Sequence, residues 1–187
     1  MATFETSDFR NGLKVEIDGD PYTITWFQFV KPGKGNAFTR TRLKNLRTGS
    51  VIERTYRTGE TVKAAEVEEF SAQYLYNDGE TWFFMNMSTF EQIGLSVTAL
   101  ENQAGYLTEN LEVQLMFFQG RPVAVTLPYF IESEIVYCEP GLRGNTATGA
   151  TKPATLATGA TVLVPLFVNQ GERIRVDTRT GEYVCRV

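Results

Sequence analysis

The chain has 187 residues, 42% of them hydrophobic, and a formal net charge of -4, so it can bury the core of one ordinary domain or of several small ones. It contains no histidine, which excludes imidazole metal sites, Ser-His and Cys-His nucleophile pairs and imidazole proton relays. No apolar run reaches the roughly 18 residues of a membrane span, and the start MATFETSDFR lacks the pattern of a signal peptide, so a cytoplasmic, globular protein without membrane association is expected.

Taken in chain order, the local signals are mostly those of strands. LKVEIDGDPYTITWFQFV reads as strand, turn over Asp18-Gly19-Asp20-Pro21, strand. The second strand runs out to Val30, the strand AFTRTRLKNL returns from Ala37, and Lys31 to Asn36 form the tip between them. Pro32-Gly33 in that tip suits a turn with positive φ at its second residue. Lys34 then stands at or near the apex with Gly33 and Gly35 on either side, so the backbone could enter a crowded site while the amine reaches ahead; an ordinary exposed hairpin lysine fits the spacing equally. The GKG is no P-loop, because Gly35 follows Lys34 where that motif needs Ser or Thr. In an extended AFTRTRLKNL, Arg40, Arg42 and Lys44 project from one face as a basic stripe about 13 Å long, either a footprint for RNA backbone or a solvated barrel face.

Further along, YLYNDGETWFFMNM reads as a hairpin around Asn77-Asp78-Gly79. STFE, with Ser88 and Glu91 at capping-box spacing, predicts a helix start, and TALENQAG a second short helix that stops at Gly105. Hairpins are predicted at LEVQLMFFQGRPVAVTL, at VLVPLFVNQGERIRVDT and around Arg179-Thr180-Gly181. Many short strands with regular turns imply an all-β protein of small barrels.

Charge divides the chain into three. Residues 1–64 hold 11 Lys+Arg against 7 Asp+Glu (+4), residues 65–128 hold 1 against 9 (-8), and residues 129–187 hold 6 against 6. With linkers expected at Lys63 to Glu66 and Leu127 to Phe130, the domains are read as 1–64, 65–128 and 129–187. The acidic middle segment, with Glu66, Glu68 and Glu69, is read as repelling wrong RNA surfaces or facing a protein neighbour.

No catalytic residue, metal or cofactor is expected, and the chain is read as not an enzyme. Its six serines form no G-x-S-x-G, and no pair among its carboxylates stands out as acid and base; a glycosidase-like reading would need a close carboxylate pair in a cleft. Cys138 and Cys185 have no ligand spacing and are read as reduced, partly buried thiols.

KPGKGNAFTRTRLKNLRTG resembles the lysine-bearing loop and following strand of the bacterial elongation factor P family, and KPATLATGATVLVPLFVNQG is similar to its C-terminal pattern at Lys152, Ala154, Gly159, Val162, Val164, Pro165, Val168 and Gly171. The resemblance spans essentially the whole chain. It implies an SH3-like N-terminal barrel and two OB-fold barrels in a tRNA-like L-shape. It further implies a monomeric translation factor that binds both ribosomal subunits between the P and E sites, beside the P-site peptidyl-tRNA, and relieves stalling at consecutive prolines. Lys34 would approach the tRNA's CCA end and be a target for a lysine-modifying enzyme. Lys31, Pro32, Gly33, Gly35, Arg40, Arg42 and Lys44 would support the loop or contact RNA backbone. The family's small-subunit and E-site contacts fall on Gly144, Asn145 and Thr146, where an amide replaces the usual carboxylate, and on Gly181, Tyr183 and Arg186, the last two expected to point outward from the terminal strand.

Two other readings stay open here. A generic OB-fold RNA-binding protein would stack bases on Tyr74, Tyr76, Trp82 and Phe84, although alternating aromatics in strands also build cores. The hypusine-bearing initiation factor of archaea and eukaryotes is related, but it has two barrels and this chain is read as three.

Overall fold

The computed structural model describes residues 2–141 and 149–187. Within them the backbone forms three antiparallel sheets of six, five and five strands.

The first sheet contains β1 (Thr3–Glu5), β2 (Lys14–Ile17), β3 (Asp20–Val30), β4 (Phe38–Asn45), β5 (Val51–Arg57) and β6 (Thr61–Ala64), in the order β1-β6-β2-β3-β4-β5. Asp18 and Gly19, with φ of 52° and 84°, make the tight turn that pairs Ile17 with Asp20, a twist that matches the flanking strands. In β4 the period of two is strict: Thr39, Thr41, Leu43 and Asn45 are buried, while Arg40 and Arg42 are exposed. Val15, Ile17, Ile24, Leu43 and Tyr56 form the core, and Phe9 meets Tyr56 edge-on at 5.3 Å.

The second sheet, in the order β11-β10-β7-β8-β9, contains β7 (Val67–Asn77), β8 (Thr81–Asn86), β9 (Gln92–Ser96), β10 (Glu112–Phe118) and β11 (Arg121–Thr126). Here the helix predicted from Ser88 gives way to a tight connection between β8 and β9. The Asn86 side chain accepts the amides of Ser88 (2.8 Å) and Thr89 (3.1 Å), and the amides that Ser88 would have capped go elsewhere, Phe90 to the Asn86 carbonyl (2.9 Å) and Glu91 to the Thr89 hydroxyl (3.4 Å). Phe90 adopts φ of 61°, outside any right-handed helix, and Glu91 accepts from the Thr89 hydroxyl instead of closing a capping box. The second predicted helix exists as a single turn, α1 (Val97–Leu100), followed by a 3-10 segment, Glu101–Tyr106, that continues one residue past Gly105. Leu100 drops from it into a core with Ala72, Tyr74, Phe84, Leu95 and Leu115.

The third sheet contains β12 (Phe130–Cys138), β13 (Thr151–Leu156), β14 (Thr161–Pro165), β15 (Arg173–Asp177) and β16 (Glu182–Arg186), in the order β14-β13-β12-β15-β16. The hairpin predicted over VLVPLFVNQGERIRVDT does not form: β14 pairs with β13, and β15 pairs with β12. The apolar run breaks because Val168 turns into the core and is fully buried. Gly171 then donates to the Ile135 carbonyl (2.8 Å), handing the chain across to β12. Both thiols are free, Cys138 buried and Cys185 half-buried. No helix among the described residues is long and apolar enough to cross a membrane.

Candidate RNA-binding arm and C-terminal contact residues

Strand β3 starts inside the first barrel and finishes outside it. At Ile24 and Leu43, which pair across the hairpin, each side chain is 1% exposed. A bulge follows between Ile24 and Trp26, and from Thr25 to Phe29 every residue of β3 is exposed, whichever face it is on. Phe29 is 57% exposed. On this side the hairpin forms an arm whose last strand pair is Val30 with Phe38, while β4 stays paired with β5 and keeps Thr39 and Thr41 buried.

Lys31, Gly33, Lys34, Gly35 and Asn36 are exposed at the tip, and Pro32 is half-buried. The turn differs from the one predicted. Gly35 takes the left-handed conformation (φ 106°), and Gly33 does not, so the reversal comes after the lysine. A Cβ on Gly33 would meet nothing within 4 Å, and one on Gly35 only the Pro32 ring at 4.0 Å. Lys34 thus stands clear of its own protein.

Below the tip, one face of the arm is cationic. Pairing places Trp26 opposite Arg42 and Gln28 opposite Arg40, with Glu53 and Thr55 of β5 beyond them. The Arg42 guanidinium lies 5.5 Å from the Trp26 ring centre, and its Nε donates to Glu53 at 2.8 Å. Arg40 lies 5.5 Å from the Phe38 ring. Lys44 shares this face and is half-buried. Trp26, Arg40, Arg42, Glu53 and Thr55 line a shallow depression of about 220 Å³. Because Arg42 and Glu53 are both well exposed, their ion pair contributes at most about 1 kcal/mol, and a phosphate can compete for the guanidinium at little cost.

Sequence reasoning missed Trp26 and Glu53. In a regular strand Trp26 would share the inward face of Ile24. The bulge inserts one residue and turns Trp26 to the outside, where it stacks under Arg42. Glu53 becomes legible only once the register of β4 against β5 is known.

In the last barrel, Gly144, Asn145 and Thr146 lie outside the described residues. The other three C-terminal candidates separate. Gly181 sits in the β15–β16 turn with φ of 72°, and a Cβ there would come 2.8 Å from Tyr106 Oη in the middle barrel. Tyr183 corrects the outward expectation: it pairs with Val176, is half-buried and packs on the barrel core. Arg186 does face outward, lying 5.2 Å from the Phe167 ring with Nη1 3.3 Å from Glu172 Oε1. At the opposite end of the β15–β16 hairpin, Arg179 reaches back to Asp177 through Nε (3.0 Å) and Nη2 (2.6 Å) and covers Tyr129 at 4.6 Å. Those hydrogen bonds, with the Arg179 backbone amide, hold the Asp177 carboxyl down to about 2.

The aromatics weighed as stacking platforms do not form one. Tyr74 and Phe84 are core residues, and Trp82 packs against them. Tyr76 is exposed and pairs with Phe83 at 4.8 Å.

Three comparisons with known proteins agree with this architecture. Residues 5–62 match the model of the elongation factor P KOW-like domain, residues 67–125 that of the elongation factor P OB domain, and residues 125–186 that of the elongation factor P C-terminal domain. The chain is 52% identical over 181 residues to elongation factor P of Moorella thermoacetica, covering 97% of this chain and 98% of that one. It is 49% identical over 182 residues to elongation factor P of Pelotomaculum thermopropionicum, with the same coverage. Among solved structures it is similar to eukaryotic translation initiation factor 5A from Methanococcus jannaschii, with a TM-score of 0.56 and 24% identity over 67% of this chain and 92% of that one, a likeness of fold.

Proposed function

The chain belongs to the elongation factor P family, and from that premise we propose how its arm acts. It is a three-barrel translation factor that binds the ribosome, positions peptidyl-tRNA and relieves stalling. The finer reading is that it sits between the P and E sites with the arm directed at the CCA end of the P-site tRNA. Lys34 leads, and Arg40, Arg42 and Lys44 meet RNA backbone behind it. Lys31, Pro32, Gly33 and Gly35 shape the tip. The observation that carries this reading is the arm itself, in which β3 leaves the core and the turn that joins it to β4 carries an exposed lysine between two open glycines.

The help such an arm gives is positional. Proline is a constrained nucleophile, and an arm that holds the peptidyl-tRNA end in reacting geometry lowers the barrier without adding a chemical group. Every 1.4 kcal/mol of recovered positioning corresponds to about tenfold in rate. The exposed amine of Lys34 is also open to a modifying enzyme. Arg186, exposed beside Phe167, is read as the C-terminal contact with the small subunit. Domain boundaries at 64/65 and 128/129 belong to this proposal, supported by β6 ending at Ala64, β7 starting at Val67, β11 ending at Thr126 and β12 starting at Phe130.

A photo-crosslinker at position 34 tests the placement. In ribosome complexes with a filled P site, the expected product joins the chain to the 3′ end of the P-site tRNA. Crosslinks confined to small-subunit RNA contradict it.

A further inference from the structure

The two joints between barrels differ in chemistry. Where the first barrel meets the second, Leu46 reaches a small apolar cluster of Ala65, Met116, Phe118 and Val123. Beside it lies an open cavity of about 310 Å³ whose lining includes Glu16, Lys63, Glu66 and Glu68. Lys14 adds to this charged seam: burial pushes its amine down, and Glu69 opposes the shift. Part of the middle barrel's negative charge therefore faces lysines of its own chain.

The joint between the second and third barrels is apolar and close. Tyr106 and Leu111 pack against the cores of both barrels. Gly105 lies against Ala160, so close that a Cβ on it would stand 3.3 Å from the alanine methyl. Its neighbour Tyr106 lies against Gly181, where an added Cβ would stand 2.8 Å from the tyrosine oxygen. Two successive residues of the middle barrel thus abut two different turns of the last one, and contact at two separated points restrains rotation as well as distance.

We propose that Tyr106 and Gly181 are positioning residues that lock the middle and C-terminal barrels into one rigid body, so that Gly181 serves ribosome binding by orientation and not by touching RNA. The conformation of the turn alone does not explain the glycine. Gly171 has a comparable φ of 86° with nothing within 4 Å of its missing Cβ, whereas at Gly181 the backbone requirement coincides with a steric one. Asn, which tolerates left-handed backbone, would satisfy the first requirement and violate the second. The locked pair would hold Arg186 at a set angle to the middle barrel, leaving adjustment to the hydrated, ionic joint below the arm. This inference rests on the ribosome-binding reading for its consequence but not for its geometry.

The test measures the joint without a ribosome. Spin labels at Glu80→Cys and Leu163→Cys, in a chain where Cys138→Ala and Cys185→Ser leave the melting temperature unchanged, report the distance between the two barrels. The parent is expected to give one narrow population, Gly181→Ala to lose it, Gly171→Ala to keep it, and Gly181→Ala with Tyr106→Phe to regain it. An unchanged distribution in Gly181→Ala, an equal broadening in Gly171→Ala, or no recovery with Tyr106→Phe overturns the lock. Ribosome affinity should follow the same pattern. If Gly181 instead touches RNA, Tyr106→Phe leaves the lost affinity unrestored, which overturns the positioning role even where the distances behave as expected.

Discussion

Within the β3–β4 hairpin, β3 passes through two environments and β4 does not. At the base Ile24 and Leu43 are sealed in the barrel, whereas beyond the bulge Trp26, Phe27 and Phe29 of β3 are exposed while Thr39 and Thr41 of β4 stay buried. If the outer end meets the ribosome as proposed, fold stability and ribosome contact fall to different ends of β3, and substitutions along it should separate the two. The C-terminal strand shows the same division over a shorter span, with Tyr183 on the core and Arg186 outside it.

The largest effect on stability belongs to the base. Ile24→Ala or Leu43→Ala should lose about 2–5 kcal/mol in urea unfolding, because each leaves a cavity in a sealed core. A loss below about 1 kcal/mol would mean that the base is not where the first barrel is held. Next comes the terminal strand. Tyr183→Ala should cost about 1–3 kcal/mol through lost burial, while Arg186→Ala stays within about 0.5 kcal/mol, since its ion pair with Glu172 is exposed. Equal losses in the two variants would erase the distinction.

The arm should reverse that ranking. Trp26→Ala and Phe29→Ser should each shift stability by less than about 1 kcal/mol yet weaken ribosome binding. Arg42→Ala should lower the salt dependence of that binding by about one unit of slope, and Glu53→Gln, which frees the guanidinium, should tighten it. If Glu53→Gln weakens binding, the carboxylate is holding Arg42 in its working geometry.

The smallest effect comes from Asp177. The hydrogen bonds from Arg179 hold its carboxyl down to about 2, below the ordinary 3.8, so its contribution is present above about pH 4 and is lost as pH falls towards 2. In Asp177→Asn the decline in urea midpoint over that window should be shallower than in the parent. Identical pH profiles would mean that the contact with Arg179 adds nothing to folding.

Much of this was legible in the sequence because period-two alternation survives wherever a strand is regular. AFTRTRLKNL placed Arg40, Arg42 and Lys44 on one face, and the buried threonines between them confirm that parity. What stayed hidden depends on contacts distant in sequence. The bulge that reverses Trp26 is a property of pairing with β4, and no composition signal marks it. Ser88 and Glu91 have helix-start spacing, but the buried Asn86 two residues earlier takes the Ser88 amide with its side chain and the Phe90 amide with its carbonyl. The run from Val162 to Val176 looks like two strands of a hairpin, and only the burial of Val168 shows that the chain crosses to another partner. Gly181 fits a family pattern, but its steric reason lies on the middle barrel, in Tyr106.

If the arm exists to carry the amine of Lys34 to the tRNA end, translation of a message with three successive proline codons will show it. Lys34→Ala should fold as the parent does and retain most ribosome affinity, because one exposed cation is a small part of a contact spread over three barrels. It should nevertheless release the stall at least about tenfold more slowly, the consequence of some 1.4 kcal/mol of lost positioning. Relief of the stall at the parental rate by Lys34→Ala would leave the arm a hairpin tip without a task.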